Sequence, residues 1–424
     1  MHPTIRLPGP NGQHAIGVVD FELVDHDRQE TFALGMPRRI PVRAWYPAAS
    51  VNGAPRPYAK PLEMEHVIGR FCTNTLPLGA SFSEVFNVPT HSFEGAPPAG
   101  SRRPTVVFSH GVFAYLQSNA ALMEHLASHG YLVLSISHPY TSCATLHENG
   151  DIIYADDALF KETMTRGFDA RHLAAFIDPN VGMRYEAQQR NIRNFVLAPH
   201  FLIWEQDCLH VIDRLVNVDL PGAGASLLPL VDPERIGTIG MSFGVSASAA
   251  AHRDARVRAT VNLDGGVFDA NLLGADVDAA MLIMHCDFGL GLPGHVLFPH
   301  SEFFFERLAS VGTREDVIRV ETKGSTHYSY TDLCLIPAEI RQSNPVAAAI
   351  CGAIEGQRMS CVLNDFVLRF MDRYLRGTGP GLDTEFRGRY PEVVDVDLSH
   401  VRNWAADSPS KGLDVVAAVE GSHS

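Results

Sequence analysis

The sequence predicts an α/β fold with a mostly parallel central sheet, helices on both faces and an inserted cap. Apolar runs that begin at Pro104 and Tyr131 flank a helical segment at 120–129, so strand, helix and strand in about 35 residues form a βαβ unit. A short apolar strand at 236–239 passes through a glycine-flanked turn into a helix of small residues. The closing segment 359–374 carries a continuous apolar stripe at helical spacing.

The elements before the insertion follow from local composition. Segments 18–23 and 40–46 are rich in β-branched and aromatic residues and are separated by a polar turn, so we expect an antiparallel pair that opens the sheet. Residues 47–103 are heavy in Pro, Gly, Ser and Asn and predict a long excursion with one helix. The apolar run from Pro104 stops at Gly111, which is typical of a strand buried on both faces.

The later part of the chain repeats the alternation after an interruption. We expect one domain over residues 1–424, with 141–195 inserted as a cap and 378–424 as a loosely packed C-terminal tail. The helix after the cap has one apolar face, formed by Trp204, Cys208, Val211, Ile212 and Leu215. Three further buried strands are predicted at 257–264, 280–285 and 316–320.

Composition excludes several classes of protein. A formal net charge of -14 argues against a nucleic-acid binder, which needs clustered Lys and Arg. The sequence contains no run of 18 apolar residues, so it predicts no transmembrane segment. The seven cysteines are dispersed without C-x-x-C spacing, which favours a reducing compartment over a disulfide scaffold or a zinc site. The first residues lack the apolar region of a signal peptide, so we expect a cytoplasmic protein unless such a peptide was removed. The sequence is also compatible with a homo-oligomer.

The turn Gly240-Met-Ser-Phe-Gly244 carries the main candidate for a nucleophile. In a G-x-S-x-G elbow, the serine stands between a strand and a helix, and the two glycines let these elements pass closely. Ser242 would then lie at the carboxyl edge of the sheet, with the backbone N–H of Phe243 aimed at an oxyanion beside its hydroxyl. The alternative is a helix start of small residues that only packs tightly.

A serine hydroxyl needs an imidazole base, and the imidazole needs a carboxylate that fixes its tautomer. Of the histidines after Ser242, His327 is the one that follows the last predicted strand at the start of a loop, where a base above the sheet edge must stand. The alternative is a histidine on a surface loop.

Two aspartates compete for the role of the acid. Asp264 follows the first strand after the elbow, and Asp287 follows the second. Many proteins of this kind take the acid from the second position, several residues into the loop, but that loop has no carboxylate beyond Asp287. Asp264 is followed by Gly265 and Gly266, which let the backbone turn under the imidazole, so we favour Asp264.

The second oxyanion donor is expected from the turn after the strand that begins at Pro104, which gives the N–H of Val112 as partner to that of Phe243. His110 in that turn is interpreted as structural. Candidates for the substrate pocket are Phe113, Tyr115 and Met241, which neighbour the predicted oxyanion donors and Ser242.

These residues, taken together, resemble a known family. Phe108-Ser-His-Gly111, Leu126-Ala-Ser-His-Gly-Tyr131, Ser137-His-Pro-Tyr140, the elbow, Leu263-Asp264 and Lys323-Gly-Ser-Thr-His327 look like the platelet-activating factor acetylhydrolases of the plasma or type II class and their bacterial relatives. The resemblance runs in order over about residues 40–330. Two positions differ: Met241 stands where the elbow usually has His, and Val245 where a second Gly is common.

The resemblance implies an α/β-hydrolase that is calcium-independent, needs no cofactor and cleaves short acyl esters. It also implies an acid after the strand next to the elbow strand, which agrees with Asp264. We therefore expect a serine hydrolase that cleaves a small-molecule carboxylic ester through an acyl-enzyme, with no metal. The alternatives are an amidase, an esterase for polyesters or aromatic esters on the same triad, and a noncatalytic ligand-binding relative.

The insertion is expected to decide which ester enters. It holds aromatic and flexible apolar side chains interleaved with arginines that include Arg166, Arg171, Arg184 and Arg190. The aromatic and flexible apolar residues are Tyr154, Phe160, Met164, Phe168, Phe176, Met183, Tyr185 and Phe195. These side chains either bury one another in a satellite core or line an acyl or alcohol pocket with an arginine near its rim.

Overall fold

The computed structural model describes residues 3–167, 169–290 and 294–407. Its strands are β1 (Ala15–Gln29), β2 (Pro37–Ala48), β3 (Ser92–Glu94), β4 (Arg103–Ser109), β5 (Leu132–Ile136), β6 (Ala144–Leu146), β7 (Ile152–Tyr154), β8 (Val231–Met241), β9 (Val257–Leu263), β10 (Ala280–His285), β11 (Val317–Thr322) and β12 (Val393–Asp395). Its α-helices are α1 (Pro61–Glu63), α2 (Ala120–Ser128), α3 (Asp157–Arg166), α4 (Ala170–Ile177), α5 (Val181–Asn194), α6 (Ala198–Val216), α7 (Ser246–Arg253), α8 (Ala338–Ser343), α9 (Pro345–Cys351), α10 (Gly356–Met371), α11 (Thr384–Arg387) and α12 (Ser399–Asp407).

Ten strands form one sheet in the order β12-β11-β10-β9-β8-β4-β5-β2-β1-β3. The six strands from β11 to β5 are mutually parallel, and β1 pairs antiparallel with β2 as expected. The chain runs from β4 outward to β5 and then returns to place β8 on the other side of β4. The carboxyl ends of β4 and β8 therefore meet where the strand order reverses, the position at which such sheets bind ligands.

Alternate side chains of the central strands enter two separate cores. Val106 and Phe108 of β4 pack in the core that includes α2 and α10, whereas Val107 packs in the core that includes α6 and α7. Helices thus cover both faces of a mostly parallel sheet, and the predicted fold class is confirmed.

The insertion contains a small antiparallel hairpin of β6 and β7 followed by α3, α4 and α5. A buried ion pair joins the insertion to the loop after β10: the guanidinium of Arg184 on α5 donates to Glu302 at 2.5 and 3.0 Å, and both side chains are buried. Arg184 also donates to the carbonyl of Asp178 at 2.8 Å.

The prediction of a loosely packed tail is wrong for its described part. The strand β12 pairs antiparallel with β11 and so forms one edge of the sheet. On and just before α12, Leu398 and Val401 are buried in the core that includes α6 and α7. The sequence carried no signal for these contacts because few residues of this stretch are apolar. The rest of the predicted tail, residues 408–424, lies outside the described residues.

Among the described residues, one stretch has the length and mean hydropathy of a membrane span, residues Pro345–Arg376. It is interrupted at Gly352, whose φ of 72° ends α9 before α10 begins. The apolar stripe of α10 is buried in the protein core, with Met359, Val362, Phe366 and Phe370 at 0% exposure. The apolar residues that give this stretch the mean hydropathy of a membrane span therefore belong to a helix of the protein core.

Candidate active site

Ser242 stands on a sharp turn between β8 and the helix that leads into α7. Its φ is 56°, in the left-handed region that non-glycine residues seldom adopt. A Cβ on Gly240 would overlap the carbonyl of Gly244, and one on Gly244 would overlap the carbonyl of Ser109. The two glycines of the motif are therefore required by close backbone approach, and the turn presents the Ser242 hydroxyl at the carboxyl edge of the sheet.

Three side chains form a continuous hydrogen-bonded chain at this edge. His327 Nε2 lies 2.8 Å from Ser242 Oγ, and His327 Nδ1 lies 2.7 Å from Asp264 Oδ2. His327 begins the short helix after β11, and Asp264 directly follows β9 with a φ of 54°. An ionised carboxylate only accepts, so Nδ1 carries the proton and Nε2 accepts from the serine hydroxyl.

The surroundings of Asp264 keep it ionised. Burial opposes ionisation, but the hydrogen bond from His327 holds the pKa of this carboxyl well below its ordinary value. Its second oxygen, Oδ1, accepts from the backbone N–H of Cys286 at 2.9 Å. Nearby His285 is fully buried, and burial lowers the pKa of its imidazole to about 3, so it stays neutral beside the acid.

The competing aspartate does not reach the imidazole. Asp287 Oδ2 accepts from the backbone N–H of Gly324 at 2.8 Å, and Oδ1 accepts from that of Gly289 at 2.9 Å. The structure thus brings Asp264, and not Asp287, to His327.

The two predicted oxyanion donors flank the serine. Val112 and Phe243 both line the cavity that contains Ser242. Gly111, which directly precedes Val112, lies so close to the serine that a Cβ on it would be 3.2 Å from Ser242 Cβ. Phe243 is in the first turn of a helix, where backbone N–H groups lack helical acceptors.

The serine opens into an apolar cavity of about 500 Å³. Tyr115 and Met241 line this cavity, as expected for pocket residues, but Phe113 does not. The prediction for Phe113 is therefore wrong: its φ is 55°, and its ring packs against Phe160 of α3 at 4.9 Å between centroids. The turn that places Val112 at the cavity therefore directs the next side chain, that of Phe113, away from it.

Further lining residues were not among the named pocket candidates, although Phe176 and Phe195 belong to the cap side chains interpreted as either a satellite core or a pocket lining. They are apolar or aromatic side chains contributed by the excursion, the cap and the loops after β9 and β10: Phe71, Phe176, Phe195, Phe268, Leu297 and His300. The only sequence signal was the density of aromatic residues in the cap. The described lining residues include no arginine, so the interpretation that a cap arginine lies at the rim is wrong for them.

His110 has a structural environment, as interpreted from the sequence. Its Nδ1 donates to the carbonyl of Gly111 at 2.7 Å, and its Nε2 lies 3.0 Å from Ser142 Oγ. Burial lowers the pKa of this imidazole to about 3. Among the described residues, no group of three or more His, Cys, Asp or Glu side chains is placed to hold a metal ion.

Known proteins share this sequence pattern. Residues 2–159 match the family model described as platelet-activating factor acetylhydrolase, isoform II. Platelet-activating factor acetylhydrolase of Cavia porcellus is 24% identical over 307 residues, which are 68% of this chain and 60% of the relative. That of Canis lupus familiaris is 24% identical over 262 residues, which are 61% of this chain and 55% of the relative. The resemblance to the platelet-activating factor acetylhydrolase family is confirmed.

A solved structure extends the likeness over more of the chain. Ferulic acid esterase from Streptomyces cinnamoneus aligns with a TM-score of 0.62 at 25% identity, covering 92% of this chain and 99% of that chain. The fold is that of an α/β-hydrolase. The chain spans only 55% to 60% of the length of these acetylhydrolase relatives.

The two positions that differ from the acetylhydrolase elbow have clear surroundings. Met241 is 2% exposed and lines the cavity, so an apolar side chain occupies the place of the usual histidine. Val245 is fully buried, and Gly265 leaves room for it, since a Cβ on Gly265 would lie 2.7 Å from Val245 Cβ.

Proposed function

We propose that this protein is a serine carboxylic ester hydrolase that cleaves short-chain acyl esters through an acyl-enzyme. The observation that carries the proposal is the hydrogen-bonded chain from Ser242 Oγ through His327 to Asp264, open to an apolar cavity. The resemblance to the acetylhydrolases and to an esterase supports the same bond type.

In this mechanism, His327 Nε2 takes the proton of Ser242 as Oγ bonds to the ester carbonyl carbon. The carbonyl oxygen becomes an oxyanion, which the N–H groups of Val112 and Phe243 stabilise. The tetrahedral intermediate collapses as His327 gives its proton to the alkoxide oxygen, and the alcohol leaves. Water, activated by the same imidazole, then releases the acid from Ser242. Asp264 stabilises the imidazolium in both halves and fixes its tautomer.

A second substrate class, aromatic esters, is favoured by one feature of the cavity. The rings of His172, Phe195 and Phe268 are nearly parallel to one another, with interplanar angles of 16° to 19°. Their centroids are 4.4 Å apart for His172 and Phe195, 4.7 Å for Phe195 and Phe268, and 6.3 Å for His172 and Phe268. All three line the cavity. A planar aromatic group of a substrate can pack against such rings in the offset-stacked or edge-to-face arrangements that aromatic pairs prefer.

The test is a series of p-nitrophenyl esters from acetyl to palmitoyl, with methyl esters of aromatic acids and p-nitroanilides alongside, and Ser242→Ala as control. We expect kcat/KM to fall as the acyl chain lengthens, with esters cleaved faster than anilides. A preference for aromatic methyl esters would select the second class, and faster anilide cleavage would select an amidase. If the wild type is inactive on every compound yet binds the corresponding acids, a noncatalytic ligand-binding protein is the correct alternative.

A further inference from the structure

A second set of Ser, His and Asp side chains lies beneath the site, away from solvent. Ser109 is the last residue of β4, His138 follows β5 and Asp207 lies on α6. Ser109 Oγ is 2.9 Å from His138 Nε2, and His138 Nδ1 is 2.8 Å from Asp207 Oδ2. All three residues are 0% exposed, and none lines the cavity. Because no substrate reaches Ser109, this set is not a second catalytic centre.

Charge fixes the direction of these hydrogen bonds. Asp207 is paired with two guanidinium groups, those of Arg38 at 2.6 Å and Arg28 at 2.9 Å. Burial opposes its ionisation, but the charge of Arg38 and the hydrogen bonds hold the pKa of Asp207 well below its ordinary value. Burial also lowers the pKa of His138 to about 4, so the imidazole is neutral at pH 7. His138 Nδ1 therefore donates to Asp207, and Nε2 accepts from the hydroxyl of Ser109.

The segment around His138 holds the first oxyanion donor. Ser109 precedes the turn that contains Val112, whose N–H is the first proposed oxyanion donor. The hydroxyl of Ser142 accepts from the N–H of His138 at 3.0 Å and lies 3.0 Å from the ring of His110 in that turn. Beyond Val112, the N–H of Phe113 donates to the carbonyl of Thr141 at 2.8 Å. The turn is thus attached before and after Val112.

The same imidazole supports the second oxyanion donor. The ring of Trp204 stacks on His138 with centroids 3.7 Å apart and an interplanar angle of 8°, and its Nε1 donates to Thr141 Oγ1 at 2.8 Å. The ring of Phe243 packs edge-on against Trp204 at 5.0 Å. His138 therefore contacts, directly or through one side chain, the segments that carry both donors.

We propose that His138 is a positioning residue that sets the spacing of the two oxyanion donors, the N–H groups of Val112 and Phe243. The inference rests on the proposed esterase function. Ser109 and Asp207 hold the imidazole in its plane, and Trp204 transmits its position to the elbow. An oxyanion hole acts through donors fixed in advance at the place where charge develops, so a small shift of either donor weakens binding of the transition state more than binding of the ester.

The deciding variant is Ser109→Ala, which removes one hydrogen bond to His138 and preserves the backbone of β4; His138→Asn, which loses the Nε2 acceptor, is the second variant. Each is assayed with p-nitrophenyl acetate and with two inhibitors of equal chain length. Ser242 Oγ adds to the carbonyl carbon of a trifluoromethyl ketone while its proton passes to His327 Nε2, and the carbonyl oxygen becomes an oxyanion. The matched methyl ketone binds without this step. Thermal melting followed by circular dichroism checks that each variant is folded.

We expect Ser109→Ala to lower kcat by about 10- to 100-fold with KM changed by less than about twofold. The inhibition constant of the trifluoromethyl ketone should rise by a similar factor, while that of the methyl ketone stays within about twofold. Ser128→Ala is the matched control, because this buried hydroxyl donates to the carbonyl of His125 at 2.7 Å on α2, away from the oxyanion turn. Ser128→Ala should leave kcat, KM and the inhibition constants of both ketones unchanged.

Equal losses for both ketones, or wild-type constants in Ser109→Ala, would overturn the positioning role. This outcome is distinct from failure of the proposed function. If Ser242→Ala keeps its activity, the esterase mechanism is wrong. If Ser242→Ala is inactive and Ser109→Ala binds both ketones as the wild type does, only the role of His138 is wrong.

Discussion

Asp287 holds the loop that carries the base: its Oδ2 accepts a 2.8 Å hydrogen bond from the backbone N–H of Gly324, three residues before His327. The carboxylate that competed for the role of the acid is thus engaged with the backbone of this loop. Asp264 meets the imidazole itself, at 2.7 Å. The two aspartates therefore make different and testable contributions.

For the acid, Asp264→Asn should lower kcat on p-nitrophenyl acetate by about 10⁴-fold, because an amide favours the wrong tautomer of His327. Asp287→Asn should lower kcat by about tenfold or less, since one carbonyl oxygen still accepts from the loop. Steady-state kinetics of the two variants at one pH makes the comparison. The reverse order of losses would transfer the role of the acid to Asp287.

For the nucleophile and base, Ser242→Ala and His327→Ala should each lower kcat by at least about 10³-fold. The double variant should be little worse than either single one, because the residues act as a unit. The measurement is kcat for all three proteins on one ester. Losses that multiply would show that the two side chains act independently.

For cavity shape, Phe176→Ala should raise the ratio of octanoate to acetate cleavage. Phe176 on α4 lines the cavity, so its truncation lengthens the space available to an acyl chain. We expect kcat/KM for octanoate to rise at least about fivefold relative to acetate, an effect of the size that one or two buried methylenes provide. Phe160→Ala is the matched control, because Phe160 packs on Phe113 outside the cavity. An equal change in both variants would show that α4 does not set the preference.

For cap anchoring, Arg184→Met should lower the free energy of unfolding by about 3 kcal/mol, because it leaves the buried carboxylate of Glu302 without its main partner. Urea unfolding followed by circular dichroism gives the value. Arg166→Met is the control: Arg166 pairs with Glu162 on the surface, with 77% of its side chain exposed, and should change stability by less than about 0.5 kcal/mol. Similar effects for both variants would contradict the anchoring role.

A pH dependence of stability follows from Asp332, a buried carboxyl near the start of α2. Burial raises its pKa to about 8, although the N–H groups of α2 and the hydroxyl of Tyr58 at 3.1 Å favour its charged form. An unfolded aspartate has a pKa of about 3.9, so between these values the folded chain binds more protons than the unfolded chain, and its stability falls as pH rises.

Asp332→Asn removes this proton and keeps an acceptor for Tyr58. The free energy of unfolding of the variant minus that of the wild type should therefore increase by at least about 1 kcal/mol between pH 5 and pH 9. Urea unfolding at both pH values measures the difference. A constant difference would show that Asp332 is ionised throughout.

The sequence by itself determined the order of the central parallel strands and of the helices between them, the elbow at Ser242 and the place of His327. These features depend on local rules: runs of apolar residues, helical spacing, and glycines at a turn whose backbone needs them. The pairing of β12 with β11 was beyond these rules, because three residues of strand in a polar stretch give no periodic signal.

Only the tertiary structure decided which side chains meet. Asp264 and Asp287 both follow a buried strand, and the choice depended on the direction in which each loop leaves the sheet. Phe113 and Arg184 were both candidates for the pocket or its rim. The ring of Phe113 packs against Phe160 on α3, and Arg184 pairs with Glu302. Hydrogen bonds join Ser109, His138 and Asp207, although Ser109 and Asp207 are 98 positions apart in the chain (207 − 109). Such contacts depend on how helices and loops pack around the sheet, which no local pattern encodes.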